Sequence, residues 1–489
     1  MQLSYSIVSI LSLKAHFTSA ELKCRPEGAV LPRPTALTRS PIFTAAATNL
    51  TETLNAALSG SITAGWPTSN VSFSLAVYLP GLDGKSKIQW RDVSLRMLAS
   101  YLAGTPANYG FSDFYWLKEV FLAHGLPPID DDDYPPCGVV GLNKGCTGEE
   151  IVPGMKESYP QTTPNERPAY SNMAFILLGI ALEEYTVHHA KAGFRVLNVF
   201  SAGGLVSSLS DISKFSHALL SRTLNMTSTE INGWLKPSAF AGNAYTLTGM
   251  PWEILRLSNL TPDHPHTVTV YGKGGGAQNY RSQLSFVDDY GLAIIILTAG
   301  PMKAAPVLTN AMLSTFVEAA DEVSREQAKR YERRYMSDHE DDVPIEAALE
   351  QDNDSMILAS LHRSGTDVLS RLTDIWGLTL GDFLPGVGPK IRVFPSQLRE
   401  NVTLDGKPVM KEVWHSWPDL NSGFETDLPG NEIEDMNCVG WSIQDWVHYG
   451  GEPLDRVLVY VGEHGDVRGF EVPFLRSGIL HPIQNDKKT

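Results

Sequence analysis

Between residues 267 and 299 polar and apolar positions alternate with a period of two. Val268 and Val270 interleave with Thr267 and Thr269, residues 281–287 alternate again, and an unbroken apolar run at 294–297 follows the turn-forming Asp288-Asp289-Tyr290-Gly291. That pattern predicts three antiparallel strands in a meander, because side chains of a strand point to alternate faces. Leu308, Met312, Phe316, Ala320 and Val323 then fall at helical spacing. The helix dissolves into a charged run through Arg330, Arg333, Arg334 and the His-Glu-Asp-Asp of 339–342, which reads as a linker or as a solvated helix end. Past it, Asp405-Gly406 marks a hairpin turn within 402–407, and residues 456–461 and 467–472 read as two strands about the turn 462–466. Residues 355–384 show no clear period.

These patterns predict an α+β chain in three parts: a leader at 1–20, a first domain at 21–335, and a β-rich domain at 336–489 that holds no catalytic constellation. A length of 489 residues with 43% hydrophobic composition suits two packed domains. The 39 basic residues against 55 acidic give a net charge of -16, which opposes binding to nucleic acid or to anionic lipid. A small molecule or a peptide is the expected partner. No apolar run reaches membrane-spanning length.

The leader is an apolar stretch ending in Ala15-His-Phe-Thr-Ser-Ala20, which suits signal-peptidase cleavage, although Lys14 interrupts it and no basic residue precedes the apolar part. A frayed helix of a cytosolic protein is the alternative. Six Asn-x-Ser/Thr sequons, at Asn49, Asn70, Asn225, Asn259, Asn353 and Asn401, favour secretion and glycosylation. Of the four cysteines, Cys137 and Cys146 bracket a loop short enough to close locally, which leaves Cys24 for Cys438. No metal or cofactor is expected. His188-His189 and His264-Pro-His266 lack neighbouring ligand spacing, and the acidic run at 130–133 lacks the spacing of a calcium loop.

Two motifs carry possible chemistry. Tyr170-Ser-Asn172 precedes an apolar helix, and residues two apart on an extended segment point the same way, so a phenol that moves protons can stand beside a carboxamide that binds an amide. Core packing of Tyr170 and helix capping by Asn172 is the plainer reading. Lys273, between Gly272 and Gly274-Gly275-Gly276, closes the first meander strand, where absent side chains let a ligand approach the backbone.

In this order the motifs resemble the Tyr-x-Asn and Lys-Thr-Gly signatures of the serine β-lactamase and penicillin-binding-protein family, class C above all. Three further segments agree: Tyr78-Leu-Pro-Gly-Leu82, the stretch from Ser94 to Pro106, and Ala202-Gly-Gly-Leu-Val-Ser-Ser-Leu-Ser-Asp211 continuing to Phe215. The resemblance covers residues 78–300 and implies an antiparallel sheet flanked by helices. It further implies a secreted hydrolase of esters or amides, with Tyr170 and Lys273 as catalytic groups and Asn172, Gly275 and Gly276 as substrate contacts. The Gly276 amide would be an oxyanion donor.

The chain departs from that family at its nucleophile. None of its lysines has a serine three positions upstream, and residues 71–77 run directly into Tyr78 where the Ser-x-x-Lys helix should stand. Gly274 replaces the family's threonine, and residues 186–201 form a short, basic connection. Ser72, Ser74 and Ser171 are the substitute nucleophiles to consider. These departures fit an inactive, ligand-binding relative, or a gene model with misplaced exon boundaries.

Overall fold

A computed structural model describes residues 30–58, 87–88, 90–189, 206–277, 279–338, 343–380, 387–420 and 438–483. The leader, Cys24, Asn70, Ser72, Ser74, the Tyr78–Leu82 segment with the junction before it, and residues 190–205 lie outside them. Contacts divide the chain into one unit of Arg33–Pro262 with Thr267–Ser324, and another of Arg325–Thr489 with Asp263–His266 and Met1–Pro32.

The first unit carries helices α1 (Pro41–Leu58), α2 (Leu95–Ala99), α3 (Lys118–Ala123), α4 (Gly148–Glu157), α5 (Asn172–His189), α6 (Leu209–Leu220) and α7 (Ser228–Trp234). A six-stranded sheet follows: β1 (Ala239–Phe240), β2 (Thr246–Thr248), β3 (Glu253–Leu257), β4 (Val268–Ala277), β5 (Tyr280–Val287) and β6 (Leu292–Ala299), each antiparallel to the next in chain order. The alternation read from the sequence decides what each face buries. Val268, Val270, Val287, Leu292, Ile294 and Ile296 pack on Leu313, Val317 and Ala320 of α8 (Ala304–Ala328). On the opposite face Ile254, Phe286 and Trp252 meet Leu219 of α6 and Ile231 of α7. The sheet therefore has helices on both sides, while Leu98, Ile151, Met155, Met173 and Leu177 build a separate core among α2, α4 and α5. Cys137 and Cys146 are disulfide-bonded; Cys438 is also oxidised.

The second unit is a closed barrel. Strands β7 (Arg333–Met336), β8 (Ile345–Gln351), β9 (Met356–Arg363), β11 (Val387–Leu404), β12 (Lys407–Leu420), β15 (Arg456–Gly462), β16 (Val467–Glu471) and β17 (Ile479–Pro482) pair antiparallel around a ring. The ring closes because β17 pairs with β7, which removes the exposed edges of an open sheet. Short β10 (Thr366–Asp367) extends from β9, while β13 (His448–Tyr449) and β14 (Glu452–Pro453) form a small hairpin. The Asp405-Gly406 turn joins β11 to β12 with both residues at positive φ, 51° and 74°, as a two-residue hairpin requires.

Two sequence expectations change. The part of the charged run at 330–336 is the entry to the barrel, not a linker or a mere helix end: Tyr331 and Tyr335 are fully buried while Arg333 and Arg334 stay exposed on β7, and residues 339–342 lie outside the described residues. The segment without a clear period contains β9 and α9 (Val368–Leu380), whose Leu372, Trp376 and Leu380 recur every four residues and join the barrel core.

Candidate functional site

The Tyr-x-Asn motif is held by the segment that runs from Ser94 to Pro106. Ser94 caps α2 by accepting from the Met97 amide, and the chain beyond the helix lies alongside residues 161–172 with ladder-like bonds. The amides of Gln161, Asn165, Ala169 and Asn172 donate to the carbonyls of Gly104, Leu102, Tyr101 and Ala107. Gly104 sits at φ 68°, and a Cβ there would meet the Thr162 carbonyl oxygen at 2.1 Å, so this close approach admits only glycine. Gln161 Nε2 also donates to the carbonyls of Thr105 and Tyr170.

Ser171 rather than Asn172 caps α5. Its buried Oγ accepts from the Ala174 amide at 2.9 Å and from Thr105 Oγ1 at 2.9 Å, and donates to the Pro106 carbonyl at 2.6 Å. A hydroxyl so occupied, with no base beside it, is not an activated nucleophile. Asn172, the first residue of α5, is left to face the site. Its Oδ1 accepts from the Tyr170 hydroxyl at 3.0 Å and its Nδ2 donates to Asn108 Oδ1 at 2.8 Å, and Asn108 reaches Ser112 in turn.

Lys273 comes to the same place from the sheet. Its Nζ lies 5.3 Å from the centroid of the half-exposed Tyr170 ring, within cation–π range. Tyr101 stacks on the same ring, with centroids 5.6 Å apart. Tyr101 itself is buried at φ 63°, and its hydroxyl donates to the Pro251 carbonyl at 3.1 Å. Burial pushes the Tyr101 phenol well above its ordinary pKa, and the Glu253 carboxylate and Tyr170 push it further. It is a neutral donor, not a base.

Glu253, at the start of β3, completes the group. The β3–β4 register sets Glu253 opposite Gly272, and Glu253 Oε1 accepts from Lys273 Nζ at 2.6 Å while Oε2 accepts from the Gly274 amide at 3.1 Å. Lys273 also donates to the Gly274 carbonyl at 2.9 Å. Because β3 begins at Glu253, residues 273–277 of β4 pair only with β5 among the described residues. Alternate amides along a strand point to the same side. The Gly276 N–H, two residues from Gly274, therefore faces that open edge, and both Gly275 and Gly276 are exposed.

Tyr170, Asn172 and Lys273 thus converge, with Gly276 further along the same strand, and Tyr101, Asn108 and Glu253, which sequence reasoning missed, join them. Nothing in a single sequence sets Glu253 against Lys273, since their meeting depends on a strand register across an intervening loop. The His188 and His189 side chains lie outside the described residues, while His264, His266 and Asp131 have ordinary roles. His264 Nδ1 contacts the Asn353 carbonyl and His266 Nδ1 the His264 carbonyl, and Asp131 pairs with Lys118 and Tyr115. Among the described residues no group of three or more His, Cys, Asp or Glu could hold a metal, and no helix is long and apolar enough to cross a membrane. The sequon residues Asn49, Asn225, Asn259, Asn353 and Asn401 are exposed.

An antiparallel sheet between helices, with Tyr-x-Asn and a lysine strand converging at one edge, defines the β-lactamase and penicillin-binding-protein fold class. The family model "Beta-lactamase-like-like, C-terminal domain" matches residues 323–482, the barrel. A "Beta-lactamase-like protein" of Arthroderma benhamiae is 32% identical, covering 94% of this chain and 96% of its own. The chain belongs to the β-lactamase-like hydrolase family. A "Probable hydrolase M10" of Phoma sp. is 24% identical over 78% of this chain and 69% of its own. A penicillin-binding protein homologue from Pyrococcus abyssi is a structural neighbour at TM-score 0.31 and 16% identity, covering 69% of this chain and 81% of its own. The Arthroderma alignment spans 573 positions, more than the 489 residues here, so that relative carries stretches this chain lacks.

Proposed function

We propose that this is a secreted, glycosylated member of the family whose cleft binds a small ester, amide or peptide without forming an acyl-enzyme. One observation carries the reading: Tyr170, Asn172 and Lys273 are assembled beside the open edge of the strand that also carries Gly276, yet no Ser-x-x-Lys occurs anywhere in the sequence. Without that serine and its adjacent base the family's acyl-enzyme cannot form, while the hydrogen-bonding groups that would orient an acyl compound persist.

Pure protein is expected to leave a chromogenic ester and a cephalosporin unhydrolysed and to gain no mass from a fluorophosphonate probe. A neutral ester will nevertheless raise its melting temperature. Turnover that vanishes in Tyr170→Phe would sink the noncatalytic reading. Sequencing the transcript across the codons for Val77 and Tyr78 is a separate check, since a Ser-x-x-Lys recovered there restores the hydrolase.

Secretion rests on the leader and on the exposure of five sequon asparagines. Expressed in a fungal host, the protein is expected in the medium with Glu21 as its first residue and with a mass that falls on treatment with an N-glycosidase. Retention in the cytosol with Met1 intact would overturn this part of the proposal.

A further inference from the structure

The arrangement at Lys273 bears on which acyl compounds the cleft accepts, an inference that rests on the binding role just proposed. Two donors at the open end of β4 could receive a ligand carboxylate: the Lys273 ammonium and the Gly274 amide. Both are already taken by one internal carboxylate, with Glu253 Oε1 on Lys273 at 2.6 Å and Oε2 on Gly274 at 3.1 Å. Gly274 also stands where the resembling family has threonine, so residue 274 supplies no hydroxyl as a third donor. A second carboxylate entering this corner would place two anions beside one cation, and like charges a few ångströms apart repel strongly wherever water is partly excluded. The Gly276 amide is different. It faces the same edge two residues further on, beyond the reach of the Glu253 bonds, and a neutral carbonyl oxygen can accept from it.

We infer that Glu253 acts as a built-in anion that fills the carboxylate-recognition corner, so that the cleft selects uncharged acyl esters and amides over their carboxylate-bearing counterparts. Glu253 is a specificity-determining residue here, not a catalytic one.

The test compares N-benzoylglycine methyl ester with N-benzoylglycine, the same compound as a free acid, by calorimetry on the full chain. Wild type is expected to bind the ester at least about tenfold more tightly than the acid, the scale of one unfavourable charge contact at a partly exposed site. Glu253→Gln keeps the shape, removes the charge and releases Lys273, so the acid should gain about tenfold or more relative to the ester. Lys273→Gln in the Glu253→Gln background should abolish that gain, and melting curves of all variants show whether each is folded. Equal binding of ester and acid by wild type, or no gain for the acid in a folded Glu253→Gln, overturns the inference and leaves the binding cleft standing. If no folded protein binds either compound, the cleft reading itself fails, and the inference with it.

Discussion

Arg392→Ala is expected to destabilise the barrel by about 2–4 kcal/mol, somewhat less than breaking a fully buried ion pair, because the aspartates left behind are partly exposed. The Arg392 side chain is only 4% exposed and lies among three carboxylates. Nε donates to Asp419 Oδ1 at 2.6 Å, Nη1 to Asp352 Oδ1 at 3.0 Å and to Ser355 Oγ at 3.1 Å, and Nη2 to Asp354 Oδ2 at 3.0 Å. Lys390 adds one more cation on Asp352. These contacts tie β11 to the β8–β9 turn and to the end of β12, so removing the guanidinium sets three aspartates against one another at a junction of the ring. Arg392→Lys keeps the charge but loses the planar fork, and should fall between alanine and wild type in urea denaturation.

The same cluster fixes an acid dependence. Burial would raise the Asp352 carboxyl, but the backbone amides of Ser355 and Asp354 with Lys390 and Arg392 outweigh it and hold the group well below the usual carboxylate range. Its folded pKa lies below its unfolded value, so its contribution is fully present above about pH 4. That contribution is lost as pH falls through the folded pKa. In Arg392→Ala the depression weakens, so acid unfolding of the barrel should begin at a higher pH than in wild type. A variant that matches wild type in both urea and acid would show that the guanidinium is not what holds these strands together.

What could be read in advance followed the range of the interactions involved. The sheet meander and the Asp405-Gly406 hairpin are local patterns, fixed by alternation and by a turn that needs positive φ, and they stand where the sequence puts them. Closure of the barrel was not legible, because β17 meets β7 across nearly the whole second unit and no local pattern announces that pairing. The run at Arg330, Arg333 and Arg334 misled for a related reason: its charges are what a solvated segment shows, while the buried Tyr331 and Tyr335 between them are what commits it to the core. Within the site, Tyr170 and Asn172 were legible as a pair, and Lys273 by its glycines. Glu253 and Asn108 reach them through tertiary contacts alone.

Those contacts make Trp252 the residue through which packing and site are coupled, and Trp252→Ala is expected to destabilise the first unit by about 3–5 kcal/mol. The indole is 3% exposed, with its rings centred 4.9 Å from Trp234 and 5.0 Å from Phe286. Its Nε1 has no hydrogen-bond partner among the described residues, so the loss is one of packing and cavity formation, with no polar bond to subtract. The neighbours on either side give the cavity a second effect. The Pro251 carbonyl before it accepts from Tyr101, and Glu253 after it holds Lys273 and Gly274. A backbone that relaxes into the space of the indole will shift both anchors, so Trp252→Ala should weaken ester binding at temperatures where the variant is still folded. Trp252→Phe keeps an aromatic ring against Phe286 and should recover much of the stability and most of the binding. Denaturation midpoints read with calorimetric binding separate the two effects. A Trp252→Ala protein within about 1 kcal/mol of wild type would contradict the packing argument, and one that is destabilised yet binds the ester unchanged would show that Glu253 and Tyr101 are held independently of the core beneath them.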